Sequence, residues 1–298
     1  MTPGPVVVAT DLTDDAVPAI VRGVGHAAAV GAPVVVCHVI PDVVRHHPLL
    51  PRRAENELVL EASLTKQAAD LVTEQVGRVA RIGADAYRIV VESGAADEEI
   101  VRLAESEQAS LVVVGARPRH GTERLLGHVA ERVVRYAHTS VLVARPGHET
   151  GKVLVPTDFA ERATPALELT QRIARSVPIR PILLHVLELP QVAFTSALSP
   201  VGLSAPVPQY TVTELEKLGQ TTLAGLAKQY GFTDHEQVIG EAGRTIVERA
   251  EALDVEMIVM GSRGRTGFSR LLLGSVAEKV IRASSRSVLV VRAGRPDT

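Results

Sequence analysis

The sequence predicts two tandem α/β domains, each a doubly wound parallel sheet with helices on both faces. Three observations carry this. The chain repeats itself at a whole-domain period: Thr10-Asp11 returns as Thr157-Asp158, His38-Val39 as His185-Val186, and Ser140-Val-Leu-Val-Ala-Arg145 as Ser287-Val-Leu-Val-Val-Arg292, each 147 residues later. Within each copy, short apolar runs alternate with helix-length stretches. The apolar runs are unbroken Val, Ile and Leu rather than alternating with polar residues. Such strands are buried on both faces, and right-handed crossovers place helices on each side.

In the first copy, residues 6–10 read as a strand, and 14–31 as a helix that Gly31 stops. A strand at 34–39 precedes a loop carrying Pro41, His46, His47, Pro48 and Pro51. A long helix at 55–81, a strand at 87–91, a helix at 96–107, a strand at 111–115, a helix at 127–137 and a strand at 141–144 complete the copy. The second copy follows the same order, with a Pro-, Ser- and Thr-rich loop near 188–208. Pro146 and Gly147 mark the junction, so the domains are expected at 1–147 and 151–298. The closing strands, 141–144 and 288–291, are apolar. As the fifth strands of 3-2-1-4-5 sheets they would be exposed edges, and they are expected to pair with each other.

Composition excludes several functions. The net charge is -2, with 32 basic and 34 acidic residues, and neither half is basic. A protein that tracks nucleic-acid phosphates needs more positive charge. Aromatic residues make up 3% of the chain and Trp is absent, so base-stacking platforms are scarce. One cysteine, Cys37, excludes an intramolecular disulfide and a zinc site of several cysteines. Apolar runs are strand-sized, and none approaches the ~18 residues of a membrane span. The start of the chain has no basic n-region. A cytoplasmic, reducing setting without membrane or nucleic-acid partners is the expectation.

One loop carries chemistry. After the fourth strand of copy two the chain reads Met260-Gly261-Ser-Arg263-Gly264, then nine residues, then Gly274-Ser275-Val276. Gly261 lets a ligand approach the backbone, and Gly264 permits a tight turn with positive φ. Gly274-Ser275 open a helix whose unpaired N–H groups and positive dipole end favour an anion. The Ser275 hydroxyl can cap that helix or donate to a phosphate oxygen. Asp158 ends the first strand on the same rim and could accept from ribose hydroxyls. Val186, just past the predicted second strand, could offer backbone groups to a base. A glycine-rich loop alone is as often a tight connection as a site; the full spacing together with Asp158 favours binding.

With these residues in view, the chain resembles the universal stress protein family in a tandem two-domain form. The most specific parts are the loop 261–276, the strand end Val155-Pro156-Thr157-Asp158 and the closing Ser287-Val-Leu-Val-Val291. The resemblance implies a Rossmann-like domain of the adenine nucleotide alpha hydrolase type, and ATP, alone or with Mg2+, as cofactor. It places Pro156 and Asp158 near ribose, Val186 at adenine, and Gly261, Gly264, Gly274, Ser275 and Val276 around the phosphates, with Thr157, Met260 and Arg263 as further nucleotide-binding candidates. It implies a role in stress responses, a protein partner the sequence does not name, and a homodimer formed through the last strand.

Copy one departs from this pattern. Pro118 stands where the second glycine belongs, fixing φ and removing an N–H. One leucine fewer precedes Gly127, which is expected to rotate the helix start, and His128 replaces the serine. Asp11 and Val39 remain, which leaves room for a vestigial base pocket, but the loop departures make copy one read as mainly structural.

Other features read more plainly. Gly23-Val-Gly25 mimics a dinucleotide fingerprint but lies inside a helix. No P-loop occurs. His46-His47 with His38 lacks the spacing of a metal site; His38 and His185 read as structural, and Cys37 as core. No nucleophile–base pair is visible, so the expectation is a regulator or sensor rather than an enzyme. The alternatives are an interaction protein with an incidental nucleotide site, and a weak ATPase.

Overall fold

The computed structural model describes residues 3–41, 54–116, 126–189, 209–262 and 273–292. Copy one contributes β1 (Val6–Thr10), α1 (Val17–Val30), β2 (Val34–Pro41), α2 (Ala54–Ala80), β3 (Arg88–Gly94), α3 (Ala96–Ser106), β4 (Leu111–Gly115), α4 (His128–Tyr136) and β5 (Ser140–Ala144). Copy two contributes β6 (Lys152–Thr157), α5 (Thr164–Ser176), β7 (Arg180–Leu187), α6 (Gln209–Tyr230), β8 (Asp234–Ile239), α7 (Ala242–Ala252), β9 (Met257–Gly261), α8 (Ser275–Ala283) and β10 (Ser287–Val291). The strands form one ten-stranded sheet, β3-β2-β1-β4-β5-β10-β9-β6-β7-β8. Each copy is a parallel 3-2-1-4-5 sheet, and the two meet at their fifth strands.

Strand burial follows the pleat. Val6 and Val8 point to one face and Val7 to the other, all fully buried. One face packs against α1, α2, α5 and α6 through residues such as Ile20, Val72, Leu167 and Leu223. The other packs against α3, α4, α7 and α8 through Leu103, Val133, Ile246 and Ile281. The predicted helix at 14–31 resolves into a single 3-10 turn at Asp14–Ala16 followed by α1. Gly31, at φ +66°, caps α1 in the left-handed region that glycine adopts without strain. A Cβ on Gly23 would lie 2.4 Å from Val8 Cγ2, so this glycine serves the close packing of α1 on β1. That accounts for the first glycine of the apparent dinucleotide fingerprint; Gly25 faces open space.

The seam between the copies is an antiparallel ladder pairing Val288 with Val143, Leu289 with Leu142 and Val290 with Val141. The pseudo-twofold axis passes between Leu142 and Leu289, which occupy equivalent positions and face each other. The flanking contacts come in symmetric pairs. Arg145 Nη2 donates to Ile281 O at 2.6 Å, at the end of α8, and Arg292 Nη2 donates to Val134 O at 2.6 Å, near the end of α4. The Arg145 amide donates to Ser287 Oγ at 3.0 Å, and the Arg292 amide to Ser140 Oγ at 3.3 Å. Arg282 pairs with Glu131 at 2.6 Å, and Arg135 with Glu278 at 3.6 Å. The repeated Ser-Val-Leu-Val-x-Arg segment is therefore the seam itself. It also leaves β5 and β10 paired on both edges, so the last-strand dimer that the family resemblance implies is formed within one chain.

Leu289 is 4% exposed and faces Leu142 across the seam. Leu289→Ala is expected to cost about 2–5 kcal/mol, as for other buried leucine truncations, and to lower the urea unfolding midpoint. A loss under about 1 kcal/mol would show that the seam core carries little of the stability.

Candidate functional site

The carboxyl ends of β6, β7 and β9 and the start of α8 share one edge of the copy-two sheet. β6 pairs with β7 on one side and β9 on the other, and the chain leaves them in opposite directions. This is the switch point where open α/β sheets form a crevice. Gly274 caps α8 at φ −68° and ψ 148° without any side-chain bond. The first helical bond runs from Glu278 N to Gly274 O at 2.9 Å. By helix geometry, the N–H groups of Ser275, Val276 and Ala277 point out of the helix start. Gly274 N also donates to Ser262 O at 2.9 Å, and Ser262 N donates to Val291 O at 3.1 Å. The base of the loop is thus clipped shut, and α8 starts from a fixed position against β9 and β10. Ser275 is exposed, while Gly261, Gly274 and Val276 are half-buried. Arg263 and Gly264 lie outside the described residues.

At the end of β6, Asp158 Oδ1 accepts from Ala160 N at 3.0 Å, and Thr157 Oγ1 accepts from Phe159 N at 3.1 Å. Together they hold the turn in which Phe159 takes φ +62°. A positive φ is uncommon for an aromatic residue and marks a constrained turn. The Phe159 ring stacks on His185, with centroids 4.1 Å apart. His185 Nδ1 lies 2.9 Å from Thr157 O; since a carbonyl can only accept, Nδ1 carries the proton. Phe159 was not singled out in the sequence. Its one available signal was a bulky aromatic directly after Thr157-Asp158, in a chain with four phenylalanines.

The structure revises three expectations. Val186 lies inside β7, which runs on to Leu187, so its backbone is engaged in the ladder with β8. Met260 is buried at 5% exposure in the core, and Thr157 is buried with its hydroxyl spent on the turn. Pro156 is paired in β6, opposite Leu184. Any part Met260 takes at the rim is a backbone part. The third revision concerns copy one. Gly127 caps α4 at φ −63° and ψ 144°, nearly the dihedrals of Gly274. The shorter loop therefore does not rotate the helix start. Packing of Ala130, Val133 and Val134 fixes α4, and residues 117–125, which include Pro118, lie outside the described residues. What differs is the clip: Ala116 N donates to Ala144 O at 3.0 Å, as in copy two, but among the described residues no bond joins Gly127 to Ala116.

The β1 and β2 ends reproduce those of β6 and β7. Asp11 Oδ1 accepts from Thr13 N at 3.0 Å, Leu12 takes φ +66°, and His38 Nδ1 lies 2.9 Å from Thr10 O. Both histidines thus tie the second strand to the first. Copy one adds Gln75, buried at 4% exposure, which accepts from Thr10 Oγ1 and donates to Thr13 O. Val39 is buried within β2. His46 and His47 lie outside the described residues, and among the described residues no cluster of three metal-binding side chains occurs.

The start of α7 borders the copy-two crevice. Glu241 caps it, accepting from Gly243 N at 3.2 Å and Arg244 N at 2.9 Å, and Glu188 Oε1 accepts from Ala242 N at 2.6 Å. Lys279 of α8 donates to Glu241 at 2.9 Å. The Lys279 ammonium, followed by the Arg244 amide, holds the Glu241 carboxyl below its ordinary range.

A profile of the universal stress protein family matches residues 4–145 and again 149–292. The chain belongs to the universal stress protein family. It is 34% identical over 152 residues to a universal stress protein of Methanocaldococcus jannaschii, covering 47% of this chain and 94% of the relative. A universal stress protein of Mycolicibacterium smegmatis is 27% identical over 275 residues, covering 88% of this chain and 87% of that one. The crystal structure of a universal stress protein from Archaeoglobus fulgidus aligns with a TM-score of 0.63 at 21% identity, over 97% of this chain and 98% of the other. At that identity it speaks for the fold alone.

Cys37 lies in β2 on the face of α3. Burial, then the Glu92 and Glu99 carboxylates, pushes its thiol up to about 12. It is therefore a thiol at neutral pH. An aromatic disulfide reagent at pH 8 should leave it unmodified in the native chain and label it once denaturant unfolds the protein. Rapid labelling without denaturant would contradict its placement in the core.

Proposed function

We propose that copy two binds ATP, alone or with Mg2+, and that the protein acts as a nucleotide-dependent regulator or sensor rather than as an enzyme. The observation that carries this is the start of α8, where three outward N–H groups meet a glycine cap at the switch point of the sheet. A side-chain-free cap lets a phosphate reach those donors, and the dipole end favours its charge. Gly261, Gly264, Gly274, Ser275 and Val276 would surround the phosphates with Arg263, Asp158 would take the ribose, and Val186, one residue before the end of β7, would lie beside the base. A carboxylate accepts several hydrogen bonds at once, so Asp158 can hold its turn and a ribose hydroxyl together. The Phe159–His185 stack stiffens the β6 end that carries Asp158.

A homodimer, if formed, uses a surface other than the closing strands, which are consumed within the chain. A cytoplasmic place fits this reading; among the described residues no helix is long and apolar enough to cross a membrane. One observation favours the interaction-protein reading. Leu71 of α2 and Leu218 of α6, at equivalent positions, are 51% and 64% exposed.

Calorimetry should find one ATP site per chain, abolished in Gly274→Val and kept in Gly127→Val. At ATP near 100 times Kd, binding to the native state alone adds about 2.7 kcal/mol of stability. Unchanged affinity in Gly274→Val, or loss in Gly127→Val, would overturn the assignment.

A further inference from the structure

The pseudo-twofold that relates the copies also breaks beside the seam. α1 and α5 lie side by side on the same face of the sheet, flanking the seam. On one side of the axis, Arg22 of α1 pairs with Glu256, just ahead of β9, at 2.8 Å. Both side chains are mostly buried, and Arg22 Nη2 also donates to His148 O while Gly151 N donates to Glu256 Oε2. On the other side, the repeat puts Leu169 where Arg22 stands and Ser110 where Glu256 stands. The ion pair that fills one position has no counterpart at the other. There a cleft of about 870 Å³ opens, with Leu169 and Ser110 in its lining.

The cleft has an apolar floor and walls and a polar rim. Leu111, Leu289 and Val291 line it from the sheet, Val30 from α1, Ile173 from α5 and Val177 from just past its end. On the rim, His138 pairs with Glu105 at 3.4 Å. Among the described residues, neither Arg172 of α5 nor Glu168 one turn earlier has a hydrogen-bond or ion-pair partner. His26, on α1, is held by burial below the ordinary histidine range, so it presents a neutral imidazole. A cleft of several hundred Å³ between two domains, apolar within and bearing a few polar groups, has the character of a small-molecule site.

The geometry points to a second ligand site here, distinct from the crevice at α8, that takes an amphipathic monocarboxylate with a long apolar body. The apolar chain covers Leu169, Ile173 and the sheet floor. The carboxylate meets the Arg172 guanidinium, whose planar donors match a carboxylate in bidentate fashion. On this side Leu169 and Ser110 stand where the Arg22–Glu256 plug stands on the other.

Titration calorimetry of the full chain with laurate tests this. One saturable site per chain is expected. Leu169→Arg with Ser110→Glu, which transplants the plug, should weaken laurate by at least about tenfold. Arg172→Gln, at an exposed position, should weaken laurate and leave dodecanol unchanged. No saturable laurate binding overturns the proposal, as does a folded plugged variant that binds like the parent. If the plugged variant does not fold, Arg172→Gln decides: equal affinity for laurate in parent and variant overturns the carboxylate role. Association of the parent into dimers that laurate does not disturb would show that a second copy covers the cleft, and would overturn the proposal equally.

Discussion

The antiparallel pairing of β5 with β10 is the constraint on which the rest of the molecule depends. Each copy alone would present an apolar fifth strand with unpaired N–H and C=O groups, a template for uncontrolled association. Pairing the two strands removes both edges and puts Leu142 against Leu289 in the continuous core. The seam is fastened by charges that cross it. Arg145 and Arg292 each donate to carbonyls at the end of the other copy's last helix, where a cation also complements the helix dipole. The outermost strands, β3 and β8, carry Arg88, Glu92, Asp234 and Glu236, which suits exposed edges. Arg180 and Arg249 hold the last two carboxylates in bidentate pairs.

The same pairing decides where chemistry can occur. An antiparallel seam points the carboxyl ends of the two parallel sheets in opposite directions. The two switch-point crevices therefore lie at opposite edges of the ten-stranded sheet. Neither can supply residues to the other across the strand ends, and each can diverge on its own. Copy one has put Gln75 into the end of β1, and among the described residues it has no Gly127 counterpart of the Gly274–Ser262 clip. Copy two places Phe159 on His185 and clips its loop shut. A duplicated fold with two differently built crevices is the result.

Much of the fold was legible because it rests on patterns that sequence displays directly. Unbroken apolar runs marked the buried strands, Gly31 marked a helix end, and the exact repeat of Ser-Val-Leu-Val-x-Arg marked the seam, because residues that touch their own equivalents must match. The helix start at Gly274 was legible for the same reason: a glycine cap followed by serine has few other uses. Legibility ended where three-dimensional packing decides. Val186 was expected past its strand, but pairing with Val238 carries β7 on to Leu187. Met260 was named among the nucleotide-binding candidates; the inward turn of its side chain is set by the pleat and not by spacing. The missing leucine before Gly127 suggested a displaced helix, yet the buried face of α4 fixes the cap regardless of loop length. The Phe159–His185 stack depends on a positive φ that no spacing reveals.

The central claim is that the crevice at α8, and not the one at α4, holds nucleotide. Hydrogen–deuterium exchange with and without ATP tests it most directly, because backbone amides at the two helix starts report separately. The account predicts that ATP slows exchange at Ser275, Val276 and Ala277 and at the turn after β6, and leaves His128, Val129 and Ala130 unchanged. Equal protection at both helix starts, or none at α8, would contradict it.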